Sequence, residues 1–265
     1  MTHPFPGGTS VSRLSVYDWP TTDGAGLVGG GTPHLHLASD EGYVVLSGAG
    51  SVQTLGPDGY AEHPLTAGTL LWFQPGVVHR LVNDGDLEIL VVMSNAGLPE
   101  AGDAVMTFPA DVLADAERYA AAARLPALPP DAIATVPSSD AATTGSATAT
   151  AVTADTVTAD AARARRDLAV EGFTVLRERV LAEGPGIPMG ELYDAAARLV
   201  RDKVPGWQLT WDSTVRASTD RTADVLAALA VGTAPHLRDA ATASTQARPG
   251  PPRYGMCGRL RTWAL

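Results

Sequence analysis

Lysine and cysteine are almost absent from this sequence. Lys203 is the single lysine and Cys257 the single cysteine of the 265 residues. A lone cysteine cannot form a disulfide within its own chain, which is typical of proteins from reducing compartments. Because no histidine stands close to Cys257 in the sequence, a packed thiol is favoured over a nucleophile. Residues 1–109 contain no lysine, so Schiff-base chemistry is excluded there.

Basic residues are scarce in the first part of the chain. Residues 1–109 contain eleven acidic residues and two basic ones, Arg13 and Arg80, which gives them a net charge of −9. The whole chain carries −10, so the remaining residues contribute only −1. A negative field repels phosphate groups and nucleic acid, and it favours neutral or cationic ligands. We therefore expect a small-molecule ligand and no nucleic-acid partner.

Long apolar runs are missing as well. No stretch approaches the roughly 20 consecutive apolar residues of a membrane-spanning helix, although 45% of the residues are hydrophobic, as in a globular protein. The first residues lack the basic and then apolar pattern of a signal peptide. These observations predict a cytoplasmic protein with no membrane partner.

Histidine is the residue whose spacing is informative. In an extended strand, successive side chains point to opposite faces, so His34 and His36 share one face. Glu41 follows after a polar turn, and His79 lies on a strand that begins after the turn at Pro75. Ordinary polar positions on the rim of a sheet are the alternative interpretation. Consistent spacings around turns favour one shared site.

Three imidazoles and a carboxylate are a typical ligand set for a divalent transition metal ion. We predict that His34, His36, Glu41 and His79 bind one such ion (Zn, Fe, Mn, Ni or Co). Four protein ligands leave open positions for water or substrate if the ion prefers six. Because Arg80 is adjacent to His79 in a strand, its side chain is expected to point away from the ion.

These residues resemble the two motifs of the cupin superfamily. Its first motif, with His-x-His, then Glu and, after six intervening residues, a glycine, is matched by His34, His36, Glu41 and Gly48. Its second motif, a glycine followed by Pro-x-Gly-x-x-His-x-x-x-Asn, is matched by Gly68, Gly76, His79 and Asn83, with Gln74 in place of the proline. The resemblance covers about residues 9–109. It implies a metal-binding, jelly-roll-like β-barrel, also called a double-stranded β-helix.

The predicted fold class is mainly β with an added α region, as a cupin barrel followed by C-terminal helices. The expected units are the barrel over 1–109, a helix over 110–125, an Ala/Thr/Ser/Pro linker over 126–161 and a helical C-terminal region over 162–265.

Several elements are predicted within the helical region. The expected helices cover residues 189–203, 219–231 and 235–247. The residues around Trp207 and Trp211 alternate as in a strand, which would place both indoles on one face. The two indoles would then belong to the core or form a surface on which a ligand stacks. The tail over 254–263 is expected to be a strand that returns to the barrel or crosses to a partner subunit.

Three further residues are candidates for contact with a ligand. Trp72 and Phe73 point to opposite faces of a strand, so one of them is expected to face the cavity, although a core role is the alternative for either. His63 is a surface residue or an outer neighbour of the metal site.

The resemblance leaves the reaction open, because cupin barrels include isomerases, epimerases, dioxygenases, decarboxylases and binding modules. Our first hypothesis is a metal-dependent isomerase or epimerase of a small neutral oxygen-rich molecule such as a sugar or polyol, in which Glu41 handles protons. The alternatives are an Fe(II)-dependent dioxygenase and a non-catalytic small-molecule sensor. An exposed sheet face would pair two copies, so a homodimer is expected.

Overall fold

Ten antiparallel strands form one sheet in the computed structural model, which describes residues 5–126 and 145–265. The strands are β1 (Ser10–Val16), β2 (Gly29–Gly30), β3 (His34–His36), β4 (Glu41–Gly56), β5 (Gly59–Thr66), β6 (Leu70–Phe73), β7 (Val78–Met93), β8 (Ala104–Met106), β9 (Arg253–Tyr254) and β10 (Gly258–Thr262). Their order is β5-β4-β7-β1-β10-β9, with β6 on β4, β2 and β3 on β7, and β8 on β3.

The two 16-residue strands β4 and β7 build both walls of a barrel. Residues 41–47 pair with 88–93, and residues 50–55 pair with 78–83, with register shifts in between. At the shift, Gly48 has φ of +78°, and a Cβ there would collide with the backbone of Asp86. Glycine is therefore required where the strand bends from one wall to the other.

Side chains alternate across these strands, so each wall has an inner and an outer face. The inner faces share one apolar core, which includes Tyr43, Val45, Val52, Leu81 and Ile89. This arrangement is the predicted double-stranded barrel with an added helical region. The wall formed by 50–55, 78–83, β3 and β5 is called here the covered wall, and the wall formed by 41–47, 88–93, β1 and β6 the open wall.

Helices lie on the outer face of the covered wall. They are α1 (Ala110–Leu113), α2 (Ala116–Ala123), α3 (Gly145–Glu183), α4 (Gly186–Val200), α5 (Val204–Trp211) and α6 (Ala217–Ala230). Leu35, Leu55 and Val78 of the wall form a second apolar cluster with helical residues that include Phe173 and Leu192. Within the described residues, no helix combines the length and apolarity that crossing a bilayer requires.

Helix α3 is anchored to the barrel by a fully buried arginine. Arg166 donates hydrogen bonds of 2.9–3.1 Å to the carbonyl oxygens of Trp19, Pro20 and Gly30. Three backbone acceptors satisfy most of the donors of one guanidinium, and these hydrogen bonds offset the cost of burying its charge. Six residues further on, Gly172 lies against the backbone of Thr107 and Phe108.

The helices differ from the sequence-based expectation in several places. The helix predicted over 110–125 is two helices, because Asp115 caps the second by accepting hydrogen bonds from the amides of Glu117 and Arg118. The linker predicted over 126–161 is shortened, since α3 begins at Gly145. Residues 127–144 of that linker lie outside the described residues.

Three expectations for the helical region are decided by the structure. Trp207 and Trp211 lie on α5 and not on a strand, and their separation by four residues still places both indoles on one side. The helix expected over 235–247 is only a 3₁₀ turn, Pro235–Asp239. The tail returns to the barrel, which is the first of its two expected placements, because β10 pairs with β1.

Candidate metal centre

Strands β3, β4 and β7 bring four metal-ligating side chains together inside the barrel. His34 and His36 are the two ends of β3, Glu41 is the first residue of β4, and His79 is opposite His34 in the β3–β7 pairing. One ligand atom from each of the four residues lies within 4.8 Å of all the others. All four side chains are buried. The spacing predicted from the sequence is therefore realised as one cluster.

The facing atoms are the Nε2 atoms of the three rings and one carboxylate oxygen. The Nε2 atoms of His34 and His79 are 3.0 Å apart. Glu41 Oε2 lies 2.9 Å from Nε2 of His79 and 3.2 Å from Nε2 of His36. These distances surround a point that all four atoms can reach.

Each imidazole is oriented by an acceptor at its other nitrogen. The Nδ1 atoms contact Thr32 O for His34 at 2.9 Å, Asp103 Oδ1 for His36 at 2.6 Å, and Val77 O for His79 at 3.1 Å. A carbonyl or carboxylate oxygen can only accept, so the ring proton of each histidine is assigned to Nδ1. The Nε2 lone pairs then point into the cluster, which is the orientation that metal-bound histidines use.

The atoms that face one another in this cluster are acceptors, and a cation would be a favourable partner for all of them. With the ring protons on Nδ1, the cluster consists of three nitrogen lone pairs and an ionised carboxylate facing one another. As long as each ring carries only its Nδ1 proton, no group of the described residues donates a hydrogen bond to the buried Glu41 Oε2. Burying such an oxygen unpaired is costly, whereas a divalent ion would satisfy all four atoms at once. The residues present therefore fit a transition metal ion.

Without a cation, the surroundings of the cluster shift the pKa values of His34, His36 and Glu41 in different directions. Burial, followed by the charges of His79 and His36, holds the pKa of His34 well below its usual range. Burial would also lower the pKa of His36, but hydrogen bonds to Asp103 and Glu41 outweigh it and raise the pKa to about 10. Burial would raise the pKa of Glu41, yet the His79 and His36 contacts hold it well below its usual range.

These shifts describe the protons that a cation would displace. The lowered pKa values of His34 and Glu41 favour the neutral and ionised forms that bind metals, whereas the raised pKa of His36 favours a second ring proton, on Nε2 beside Glu41, when no cation is bound. Binding of a cation at Nε2 of His36 is therefore coupled to the release of a proton.

Asp103 is a residue of this site that the sequence analysis missed. Its carboxylate is fully buried and lies 67 positions from His36 in the sequence, outside both motifs. It follows a loop over 97–102 and precedes β8, which pairs with β3. Nothing in the local sequence distinguishes Asp103 from the other acidic residues of the barrel, so only the fold identifies it.

The three further candidates for ligand contact are placed differently by the structure. Phe73 is buried, and its ring centroid lies 4.2 Å from that of His79, so Phe73 is the aromatic that faces the site. Trp72 is 69% exposed on the outer face of the open wall, so its candidacy was wrong. His63 is half-buried on β5 opposite Val52, and its Nε2 lies 3.3 Å from Thr54 Oγ1.

His63 therefore lies on the inner face near the metal cluster but outside it. Val52 belongs to the inner core, and residues directly opposite in an antiparallel pair share a face. Thr54 is in turn opposite His79. The other two sequence expectations agree with the structure, since Arg80 points away from the cluster to Asp23 and Cys257 is a buried thiol.

Comparison with known proteins concerns the barrel alone. The family model for the cupin domain matches residues 27–93. No curated protein matches the sequence.

Solved structures align with about a third of the chain. An Acidithiobacillus ferrooxidans protein assigned as a sugar phosphate isomerase is 21% identical over 32% of this chain and 49% of its own, with a TM-score of 0.25. The WlaRB TDP-quinovose 3,4-ketoisomerase from Campylobacter jejuni is 16% identical over 32% of this chain and 60% of its own, with a TM-score of 0.27. A Cupin 2 conserved barrel domain protein from Salinispora arenicola is 22% identical over 37% of this chain and 75% of its own, with a TM-score of 0.27.

The aligned region spans about half of the first of these proteins and three fifths of the second. At these scores the alignments carry no information on activity. The family match includes the four clustered residues, and the strands form the barrel that the match implies. Residues 27–93 therefore form a cupin-type domain.

Proposed function

We propose that this protein binds one divalent transition metal ion (Zn, Fe, Mn, Ni or Co) through His34, His36, His79 and Glu41. The observation that carries the proposal is the buried cluster of four ligand atoms within 4.8 Å of one another. A divalent ion would satisfy all four ligand atoms at once, in place of the second proton that the raised pKa of His36 favours.

The second part of the proposal is a metal-dependent enzyme of the isomerase or epimerase type. When bound, the ion would polarise a carbonyl or hydroxyl oxygen of the substrate. Glu41 would accept a proton from the carbon beside that oxygen and return it, because its carboxylate is ionised and held in place by two imidazoles. The ring of Phe73 would exclude water on one side.

The substrate class proposed is a small, neutral, oxygen-rich molecule such as a sugar or polyol. The support is the charge of the barrel, −9 over residues 1–109, which disfavours anions. His63 and Thr54 supply polar groups on the inner face beside His79, where hydroxyls of such a molecule would bind. The cytoplasmic location remains a prediction from the sequence.

Metal analysis of protein purified without chelators or nickel affinity resin tests the first part. We expect about one ion per chain, and loss of that ion in the double variant His34→Ala/His36→Ala. The control is His236→Ala, which changes a histidine of the helical region on a 3₁₀ turn. Unchanged metal content in the double variant would refute the site.

Incubation of metal-loaded protein with candidate sugars in D₂O, followed by NMR, tests the second part. Isomerisation or epimerisation through Glu41 predicts deuterium at the carbon next to the carbonyl, and no deuterium in Glu41→Gln. Oxygen consumption with iron and inactivity with zinc would instead identify the dioxygenase considered above. Ligand binding without turnover for any metal would identify a sensor.

A further inference from the structure

Two of the three clustered histidines are oriented by groups that C-terminal residues hold in place. Thr32 O orients His34 and Asp103 Oδ1 orients His36. The third acceptor, Val77 O, is two residues from His79 in the same part of the barrel. The family match ends at residue 93, so the C-terminal residues that touch Thr32 and the Asp103 loop lie outside it.

The loop before Asp103 is fixed by the turn and helix that follow α4. Lys203 Nζ donates a hydrogen bond of 2.9 Å to Gly102 O. Trp207 Nε1 donates one of 3.3 Å to Ala101 O, and the indole is buried in the apolar cluster on the covered wall. The single lysine of the chain and a buried tryptophan thus hold the two residues immediately before Asp103.

Thr32 is fixed by the C-terminal tail. Its amide donates a hydrogen bond of 3.1 Å to Met256 O. The thiol of Cys257 lies 3.7 Å from Thr32 O and 3.9 Å from Nδ1 of His34. Cys257 also packs on Gly31 so closely that a Cβ at that glycine would overlap it, which places the tail directly behind His34.

We propose that the C-terminal region is an outer shell of the metal centre, in which Lys203 and Trp207 position Asp103 against His36, and Met256 and Cys257 position Thr32 against His34. This inference rests on the proposed metal site. Outer partners of metal-bound histidines commonly change metal affinity 10- to 100-fold when they are altered. The helical region then has a role in the chemistry of the barrel besides covering one wall.

Cobalt(II) added to metal-free protein tests the proposal through the histidine protons. In a paramagnetic Co(II) site, the Nδ1 protons of bound histidines give separate, strongly shifted NMR signals, so wild type should show three. The double variant Lys203→Met/Trp207→Phe removes both hydrogen bonds to the Asp103 loop while retaining apolar bulk. We expect the His36 signal to shift and exchange faster with water, and the His79 signal to stay in place.

Affinity gives the second readout. We expect the Co(II) dissociation constant of the double variant to rise about tenfold, and that of Asp103→Asn to rise by at least as much. Cys257→Ala should shift the His34 signal instead of the His36 signal. The matched control is Arg201→Met, which removes a neighbouring exposed cation whose one ion pair with the described part of the chain is to Asp202. It should leave both the spectrum and the affinity unchanged.

The possible failures are distinguishable. Absence of Co(II) binding by wild type would refute the metal site and this inference with it. Binding by wild type, together with an unchanged His36 signal and affinity in the double variant, would overturn this inference alone. Circular dichroism establishes whether each variant is folded. If the double variant is unfolded, the single variant Lys203→Met provides the same test, because it changes an exposed side chain.

Discussion

Glu41 is the residue whose buried position depends most on a cation. Its Oε2 atom lies 2.9 Å from Nε2 of His79 and 3.2 Å from Nε2 of His36. The variant Glu41→Gln keeps the size of the side chain but removes the charge. We expect metal affinity to fall more than about 100-fold, since even changes in the outer shell typically cost 10- to 100-fold. Isothermal titration with Zn²⁺ measures this, and Glu62→Gln, which changes a carboxylate on β5, should bind as wild type does.

The buried Arg80 and the partly exposed Asp23 form an ion pair whose contribution to stability depends on pH. Arg80 is fully buried and donates hydrogen bonds of 2.6 and 2.8 Å to the two carboxylate oxygens. Burial would raise the pKa of Asp23, but the Arg80 contacts outweigh it and hold the pKa below its usual range. Because the folded-state pKa is lowered, the stabilisation is present above the ordinary carboxyl pKa and is lost as the pH falls toward the folded-state value.

We therefore expect Asp23→Asn to lower the free energy of unfolding by about 1–2 kcal/mol at pH 7, since it removes the charged partner of the buried Arg80 although Asp23 itself is partly screened by solvent. Urea denaturation between pH 7 and pH 3 should show this difference shrinking at the acid end. Asp58→Asn, at an exposed position of the β4–β5 turn, is the control with the same change of charge. A difference that stays constant over this pH range would contradict the explanation.

At the residue scale, the sequence was informative where strand geometry decides the outcome. Alternation along β3 places His34 and His36 together, and the same rule turns Arg80 away from the cluster. The sequence could not identify Asp103, because the contact between Asp103 and His36 depends on how the loop after β7 folds back. Nor could alternation alone decide which of Trp72 and Phe73 faces inward.

At the scale of elements, helix α3 is held against the barrel by close backbone contact. A Cβ at Gly172 would overlap the carbonyl oxygen of Thr107 and lie 2.5 Å from the carbonyl carbon of Phe108. Neither backbone atom can move without displacing the strand end. We expect Gly172→Ala to lower the free energy of unfolding by at least about 2 kcal/mol, as overpacked sites do.

A glycine on the next helix provides the matched control for this prediction. Nothing lies within 4 Å of a Cβ at Gly190 of α4, so Gly190→Ala should raise the free energy of unfolding by about 0.5–1 kcal/mol through helix propensity. Urea denaturation of both variants gives the comparison. Equal effects of the two substitutions would show that α3 does not rest on the barrel as described.

Periodicity predicted the existence of helices better than their limits. The helix expected over 189–203 corresponds to α4 and the turn after it, and its apolar stripe is buried at Leu192, Ala195, Ala196 and Val200 and partly buried at Leu199. The predicted helix over 110–125 is divided because Asp115 caps a new helix. The spacing of Trp207 and Trp211 fits either a strand or a helix, since positions i and i+4 share a face in both. Local composition could not decide between them.

At the scale of the molecule, the two walls of the barrel have different surroundings. Helices cover the outer face of the covered wall. On the open wall, Leu46, Leu70 and Trp72 are 43%, 63% and 69% exposed. Exposed apolar patches of this kind are typical of interfaces. A two-fold pair would place the patch of one copy against the same patch of the other, so the homodimer expected from the sequence is predicted to form through this wall.

Sedimentation equilibrium tests the pairing. We expect a dimer whose dissociation constant rises at least tenfold in Trp72→Ser, because exposed tryptophans at interfaces contribute strongly and the symmetric pair contains two of them. Leu27→Ser is the control, since Leu27 is 87% exposed on the glycine-rich loop before β2. A monomeric wild type, or equal effects of the two variants, would contradict the prediction.

The central claim is that one metal ion lies among three ring nitrogens and a carboxylate inside the barrel. Anomalous diffraction at the absorption edge of the metal found in the purified protein tests it most directly. We predict one strong peak about 2.0–2.3 Å from the Nε2 atoms of His34, His36 and His79 and from an oxygen of Glu41. A map with no peak at this position, or with the metal bound by other groups, would contradict the claim.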